Sequence, residues 1–183
     1  MEQPAAFRKT VPPRSQDGRV ILDGLDLDAD YRRDMDKLYV IACGSSYHVG
    51  MVAKYTLERL LRKPVEVTLA SEFRYCDPIV TSRTLVLVIS QSGETVDTLA
   101  ALREARRLGA RVLSIVNVVG STIARESDAV LYTWAGPEIA VATTTAFPTQ
   151  PAVAYHSGPD CPPALGRLRP DHDGATGASR GRG

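Results

Sequence analysis

The 183-residue sequence has no excess of either charge, with 22 lysines and arginines against 21 acidic residues and a formal net charge of +1. So balanced a chain offers no basic field, and neither nucleic acid nor an anionic membrane is expected as a partner. Cysteine and histidine are scarce. Cys43, Cys76 and Cys161 are odd in number and far apart, and His48, His156 and His172 form no ligand cluster with them. That spacing builds neither a disulfide framework nor a paired metal motif, so free thiols are expected, with no metal and no cofactor. Long apolar runs are also missing. The strongest, Leu85 to Ile89, is far short of the roughly 20 residues that a bilayer-spanning helix needs. Residues 1–10 carry Glu2, Pro4, Arg8 and Lys9 without an apolar stretch, so no secretory leader is expected and the sequence points to the cytoplasm.

Hydrophobic residues make up 44% and charged residues 23%, enough for one domain with a packed core and no covalent staple. The composition divides the chain into three parts. Residues 1–36 are polar and turn-rich, with Pro12, Pro13, Gly18, Gly24 and the acidic series Asp23, Asp26, Asp28 and Asp30. They read as a connector with only a weak periodicity around Ile21 to Leu27. Residues 37–150 alternate short aliphatic runs with amphipathic stretches, the pattern of βα units on a parallel sheet. Residues 151–183 hold five prolines and six glycines without a period and read as a disordered tail.

Within the middle part, five strands are expected: Leu38 to Ala42, Val65 to Leu69, Leu85 to Ile89, Val112 to Val116 and Ala129 to Tyr132. Helices are expected over His48 to Arg62, Val96 to Leu108 and Ser121 to Glu126. In the first of these, Met51, Val52, Tyr55, Leu57, Leu60 and Leu61 supply the apolar side, and Pro64 ends it. In the second, Val96, Leu99, Leu102 and Ala105 recur by three, and Gly109 is the stop.

Two strand-to-helix junctions are built alike, Ile41-Ala42-Cys43-Gly44-Ser45-Ser46-Tyr47 and Ile89-Ser90-Gln91-Ser92-Gly93-Glu94-Thr95. Each sets hydroxyls and a turn-making glycine at the carboxyl end of a parallel strand, where open α/β sheets bind ligands. The first amides of the helix that follows are unpaired and favour an anion such as phosphate. A lone serine or threonine there would be a helix cap worth about 1 kcal/mol. Ser45, Ser46, Ser90, Ser92 and Thr95 exceed what two caps require, and the excess points to an anion site. Neither loop carries the glycine-lysine pair of a P-loop or the glycine pattern of a dinucleotide fold, so a nucleotide is the weaker expectation. Glu94, in the first turn after the second loop, suits a helix-dipole partner at least as well as a general base. Trp134 reads as packing, His48 as an early helix residue, and Arg103, Arg106 and Arg107 as a solvated face interleaved with Glu104.

Four motifs in register carry a specific resemblance: Cys43-Gly44-Ser45-Ser46-Tyr47-His48, Ala70-Ser71-Glu72-Phe73-Arg74-Tyr75, Ile89-Ser90-Gln91-Ser92-Gly93-Glu94-Thr95 and Tyr132-Thr133-Trp134-Ala135-Gly136-Pro137-Glu138-Ile139. Together they resemble the glutamine:fructose-6-phosphate aminotransferases, the glucosamine-6-phosphate synthases, over about Lys37 to Gln150. The resemblance implies the first of that family's two sugar-isomerase (SIS) domains, a flavodoxin-like αβα sandwich on a five-stranded parallel sheet. It implies that Ser46, Ser90, Gln91, Ser92 and Thr95 hold the phosphate of fructose 6-phosphate or glucosamine 6-phosphate, beside Ser45, and that Val141 meets the sugar through its backbone. It also implies a homodimer formed through the SIS domain.

The same resemblance assigns glutamine hydrolysis to a domain with an N-terminal cysteine, and the isomerase base, histidine and lysine to a second SIS domain and a C-terminal tail. None of these matches a position here, so no catalytic residue is assigned and a sugar-phosphate-binding fragment without full activity is expected. Lys9, Lys37, Lys54 and Lys63 all lie outside the two loops. The stretch Val141 to Gln150 departs from the family's Ser-Thr-Lys-Ala pattern at Thr143 and Thr145, and Pro148 would interrupt a helix there. A shifted or truncated reading frame is the expected origin of the tail. A sugar-phosphate sensor or binding module, and a stand-alone sugar-phosphate isomerase, stand as alternatives.

Overall fold

A computed structural model describes residues 15–16, 19–20, 29–133 and 135. Trp134, Val141 and the segment from Pro151 onward therefore lie outside the described residues. Ser15–Gln16 (β1) and Arg19–Val20 (β2) pair antiparallel, and Ala29–Asp34 forms helix α1. The rest is an alternating βα chain: β3 Lys37–Ala42, α2 Gly44–Leu61, β4 Val65–Leu69, α3 Ala70–Phe73, β5 Thr84–Ser90, α4 Val96–Arg107, β6 Arg111–Val116, α5 Thr122–Glu126 and β7 Ala129–Tyr132. The five strands β3 to β7 form one parallel sheet in the order β4-β3-β5-β6-β7, the flavodoxin-like arrangement.

Strands with both faces covered read as continuous apolar runs, and all seven residues of β5 are buried. The pleat divides them between two cores. Leu38, Val40, Leu87, Ile89 and Ile115 face α2, where Val49, Ala53 and Leu57 meet them. Tyr39, Ile41, Val86, Val88 and Val112 face the other way, toward Phe73 of α3, Leu102 of α4 and Ile123 of α5. Burying each such large side chain contributes roughly 1.5–3 kcal/mol before chain entropy is charged against it. The end of α4 closes as a Schellman turn: Ala110 N–H donates to Ala105 O, Gly109 N–H donates to Arg106 O, and Gly109 takes φ +92°.

Two features differ from the sequence reading. First, α2 starts at Gly44, four residues before His48, and it turns a different side to the sheet. Its buried residues are Ser46, Val49, Gly50, Ala53 and Leu57, whereas Met51, Val52 and Tyr55 are exposed at 38%, 64% and 71%. Size explains the choice. A Cβ at Gly50 would stand 2.9 Å from Val40 Cγ1 and 3.0 Å from Val67 Cγ1, so small residues let the helix lie close on the sheet. Val49 and Leu57 flank that close contact, and Met51, Val52 and Tyr55 are left on the outside.

Second, α1 lies in the stretch that showed no clear period. Among its described side chains and the residue just after it, Tyr31 and Met35 meet the core, too few to make a pattern. Met35 is 2% exposed, Tyr31 Oη donates to Thr84 O at 3.2 Å, and the Arg111 guanidinium covers the Tyr31 ring at 4.3 Å. Partial burial raises the Tyr31 pKa. Six residues make a marginal helix alone, so these tertiary contacts hold it.

The close seating of α2 is testable. An ordinary glycine-to-alanine change inside a helix stabilises it by about 1 kcal/mol. Gly50→Ala is expected to lower the urea midpoint instead, because overpacking costs about 1–3 kcal/mol. A raised midpoint would show that the helix has room to spare.

Candidate functional site

The site follows from the order of the sheet. β3 and β5 are neighbours, with Ala42 opposite Ile89, but the chain leaves β3 toward β4 at one edge and leaves β5 toward β6 on the other side. The two loops therefore part above a crevice at the carboxyl ends of the strands, the topological switch point of such sheets. Helices α2 and α4 both begin at that crevice.

In the first loop Cys43 occupies the cap position of α2 in extended conformation, and Gly44 takes φ +55°. An added Cβ at Gly44 would meet nothing within 4 Å, so glycine is required here for the backbone angle alone, an advantage of about 1–2 kcal/mol. Gly93 in the second loop is constrained twice. It takes φ +68°, and a Cβ there would lie 2.1 Å from Ser121 Oγ.

The second loop is held by its own hydroxyls. Gly93 N–H donates to Ser90 Oγ at 3.1 Å, Glu94 N–H donates to Ser92 Oγ at 3.2 Å, and Ser90 Oγ lies 3.4 Å from Thr95 Oγ1. Asn117 N–H donates to Gln91 O at 3.1 Å, while Asn117 Oδ1 accepts from Thr133 Oγ1 and from Ala135 N–H. This one residue, by its backbone on one side and its side-chain amide on the other, joins the loop to the end of β7.

An open pocket of about 330 Å³ lies between the loops, lined by Cys43, Gly44, Ser45, Ser46, Ile89, Ser90, Gln91, Ser92, Thr95 and Thr98. Six residues singled out from the sequence, Ser45, Ser46, Ser90, Gln91, Ser92 and Thr95, thus share one cavity; Val141, the seventh, lies outside the described residues. Neither cap residue, Cys43 for α2 or Thr95 for α4, makes a side-chain capping bond. The cap explanation therefore fails for the Thr95 hydroxyl, and at α2 the cap position carries no hydroxyl at all. Sequence reasoning missed Thr98, which lies one helical turn beyond Thr95 and reads as helix interior, and it left Cys43 unassigned at the pocket.

Among the described residues no carboxylate, imidazole, amine or guanidinium lines this pocket. Its donors are neutral hydroxyls, an amide and the amino ends of two helices, a set that can seat an anion without a buried ion pair. Glu94 is turned away from it. Its Oε1 accepts from Thr122 N–H at 2.7 Å, so the carboxylate serves the first turn of α5 rather than a ligand. That hydrogen bond holds the Glu94 carboxyl below its ordinary pKa of 4.5. His48 is exposed on α2 with its ring 5.8 Å from that of Tyr47 and does not line the pocket. Of the three arginines on α4, Arg107 pairs with Glu104 as expected, but Arg103 reaches Glu126 of α5 and Arg106 reaches Asp128. Those pairs leave the helix, one for α5 and one for the turn before β7, which a reading of one helix face does not show. Among the described residues no group of three or more His, Cys, Asp or Glu side chains could hold a metal ion, and no helix is long and apolar enough to cross a membrane.

A flavodoxin-like parallel sheet with hydroxyl-rich loops at its switch point defines an α/β domain suited to anionic ligands. The chain belongs to the SIS domain family, whose profile matches residues 33–156. It is 55% identical over 158 residues to the glutamine--fructose-6-phosphate aminotransferase (isomerizing) of Clostridium acetobutylicum, covering 86% of this chain and 26% of that protein. It is 56% identical over 155 residues to the enzyme of the same name from Streptomyces coelicolor, covering 84% of this chain and 25% of that protein. The chain thus spans about a quarter of the length of these relatives. Among solved structures, the C-terminal domain of glucosamine-fructose-6-phosphate aminotransferase from Francisella tularensis is similar with a TM-score of 0.77 and 41% identity, over 85% of this chain and 44% of that one. Glucosamine-6-phosphate deaminase from Thermotoga maritima, at 24% identity and a TM-score of 0.62 over 72% of this chain and 41% of its own, shares the fold. The motif resemblance and these similarities agree.

The Glu94 contact predicts a specific pH effect. A depressed folded pKa gives stability that is fully present above pH 4.5 and is lost as the pH falls through the folded value. Glu94→Gln keeps an oxygen for Thr122 but loses the charge. The stability gap between wild type and variant in denaturant titrations is expected to be constant above about pH 5 and to close at lower pH. A gap that ignores pH would remove the charge from the account of this turn.

Proposed function

We infer that residues 37–150 form the first SIS domain of a glutamine:fructose-6-phosphate aminotransferase, with residues 1–36 as connector and 151–183 as tail. Its work is to bind fructose 6-phosphate or glucosamine 6-phosphate in the pocket between the two loops. The observation that carries this reading is the convergence of five serine and threonine hydroxyls, Ser45, Ser46, Ser90, Ser92 and Thr95, with the amino ends of α2 and α4 on one cavity free of formal charge. Phosphate oxygens accept hydrogen bonds from such donors, and the helix dipoles favour the dianion. Gln91 adds an amide donor, and Val141 is proposed to meet the sugar. The cytoplasm is the proposed location, since a dianionic ester does not cross a bilayer unaided.

The pocket is read as one that binds and orients: among the described residues that line it there is no carboxylate, imidazole or amine to move a proton in isomerisation. The 183-residue chain is therefore expected to form no glucosamine 6-phosphate from fructose 6-phosphate and glutamine, and turnover by the pure protein would overturn this. Binding is read by thermal stabilisation, because a ligand selective for the folded state adds about 2.7 kcal/mol at a hundred times its Kd. Fructose 6-phosphate is expected to raise the melting temperature, and unphosphorylated fructose is not. The Ser90→Ala, Ser92→Ala pair removes two acceptors of the loop amides and two ligand donors, so both the resting stability and the ligand response should drop. An unchanged response in that double variant would place the sugar phosphate elsewhere.

A second reading, a binding module that completes its site with another copy, draws support from α2. Met51, Val52 and Tyr55 leave an apolar strip on its outer side, two turns below the first loop. We propose that this strip is part of a homodimer interface. Sedimentation should show a dimer that Val52→Glu with Tyr55→Glu converts to monomer, and a wild-type monomer at high micromolar concentration would end the proposal.

A further inference from the structure

One polar atom at the pocket has no use in the unliganded fold. Thr98 is 1% exposed and lines the cavity, yet its Oγ1 has no hydrogen-bond partner among the described residues. A helical threonine ordinarily satisfies its hydroxyl on the carbonyl four residues back, here Glu94 O, and Thr98 makes no such bond. A buried hydroxyl left unpaired is costly, and such groups in folded proteins call for a specific explanation. Position supplies one. Thr98 is the third residue of a 12-residue helix, one turn inside Thr95, and so stands behind the amide ring that faces the cavity.

Its neighbours in the second loop are occupied differently. Ser90 Oγ and Ser92 Oγ already accept from the loop's own amides, so in the resting fold they shape the loop as well as face the cavity. Thr98 carries no such structural task. Two other hydroxyls, Ser114 Oγ and Ser121 Oγ, are buried and unpartnered too, but neither residue lines the pocket. They serve as internal controls for what an orphaned hydroxyl does in this fold without a ligand nearby.

We propose that Thr98 is a ligand-binding residue, the deep donor of the site: its hydroxyl donates to a phosphate oxygen seated over the start of α4, directly or through one bound water. This rests on the sugar-phosphate reading of the pocket and adds a residue to it. The resting fold bears the cost of an unpaired hydroxyl and recovers it when the anion arrives, so one substitution should move stability and affinity in opposite directions.

The test uses the full chain, with inorganic phosphate and fructose 6-phosphate as probes in calorimetry and thermal melts. Thr98→Val keeps the shape and removes the hydroxyl. It is expected to melt at or above the wild-type temperature while binding both probes roughly tenfold more weakly. Thr98→Ser is expected to bind within about twofold of wild type, and Ser114→Ala to leave binding unchanged. If Thr98→Val does not fold, Thr98→Ser against Thr98→Ala isolates the hydroxyl, with the same tenfold gap expected. Wild-type affinity in Thr98→Val, or equal losses in Thr98→Ser and Thr98→Ala, overturns the role of Thr98 and leaves the pocket assignment standing. Failure of wild type to bind either probe overturns the pocket assignment and this proposal with it.

Discussion

The adjacency of β3 and β5, with crossovers departing in opposite directions, is the constraint from which the site descends. Parallel pairing fixes Ala42 beside Ile89, so the residues that follow each strand emerge side by side. Right-handed crossovers then send α2 and α4 to opposite faces of the sheet. Two helix amino ends and two hydroxyl-rich loops have nowhere else to meet. No single contact in the pocket creates this arrangement; every one of them presupposes the ladder between two buried strands.

The second loop is kept in shape by bonds within its own turn, by Asn117 and by one carboxylate contact. Ser90 and Ser92 accept from amides within their own turn, Asn117 ties the turn to β7, and Glu94 spends its carboxylate on α5. The side of the sheet that holds the second loop is thus pinned at several points. Crowding of Gly93 against Ser121 adds a steric stop. The outcome is a cavity whose electrostatic character comes from backbone amides and neutral hydroxyls, consistent with a ligand that brings its own negative charge and is later released.

Family membership and pocket chemistry answer different questions. SIS membership and the similarity to aminotransferases account for the fold and for the class of ligand proposed, while the lining residues limit what this stretch of chain can do with that ligand. Among the described residues the pocket gathers hydroxyls and amides, and no carboxylate, imidazole or amine. In a chain that spans a quarter of its relatives' length the two loops still meet, because one sheet brings them together, whereas chemistry on a sugar needs groups aimed at it from further directions.

By itself the amino-acid sequence determined the five strands and the two hydroxyl loops. Buried parallel strands must be continuous apolar runs, and a glycine with several hydroxyls at a strand end is a local signal; even Val65–Leu69 and Ala129–Tyr132 coincide with the expected bounds. Only the tertiary structure decided which side of α2 is buried, since that depends on how near Val40 and Val67 allow the helix to come. It alone docked α1 through Tyr31 and Met35, directed Glu94 to another helix, and left Thr98 Oγ1 unpaired at the pocket. The division has one cause: periodicity and turn chemistry are written in near neighbours along the chain, while close approach, burial of single side chains and the pairing of polar atoms depend on residues brought together from far apart.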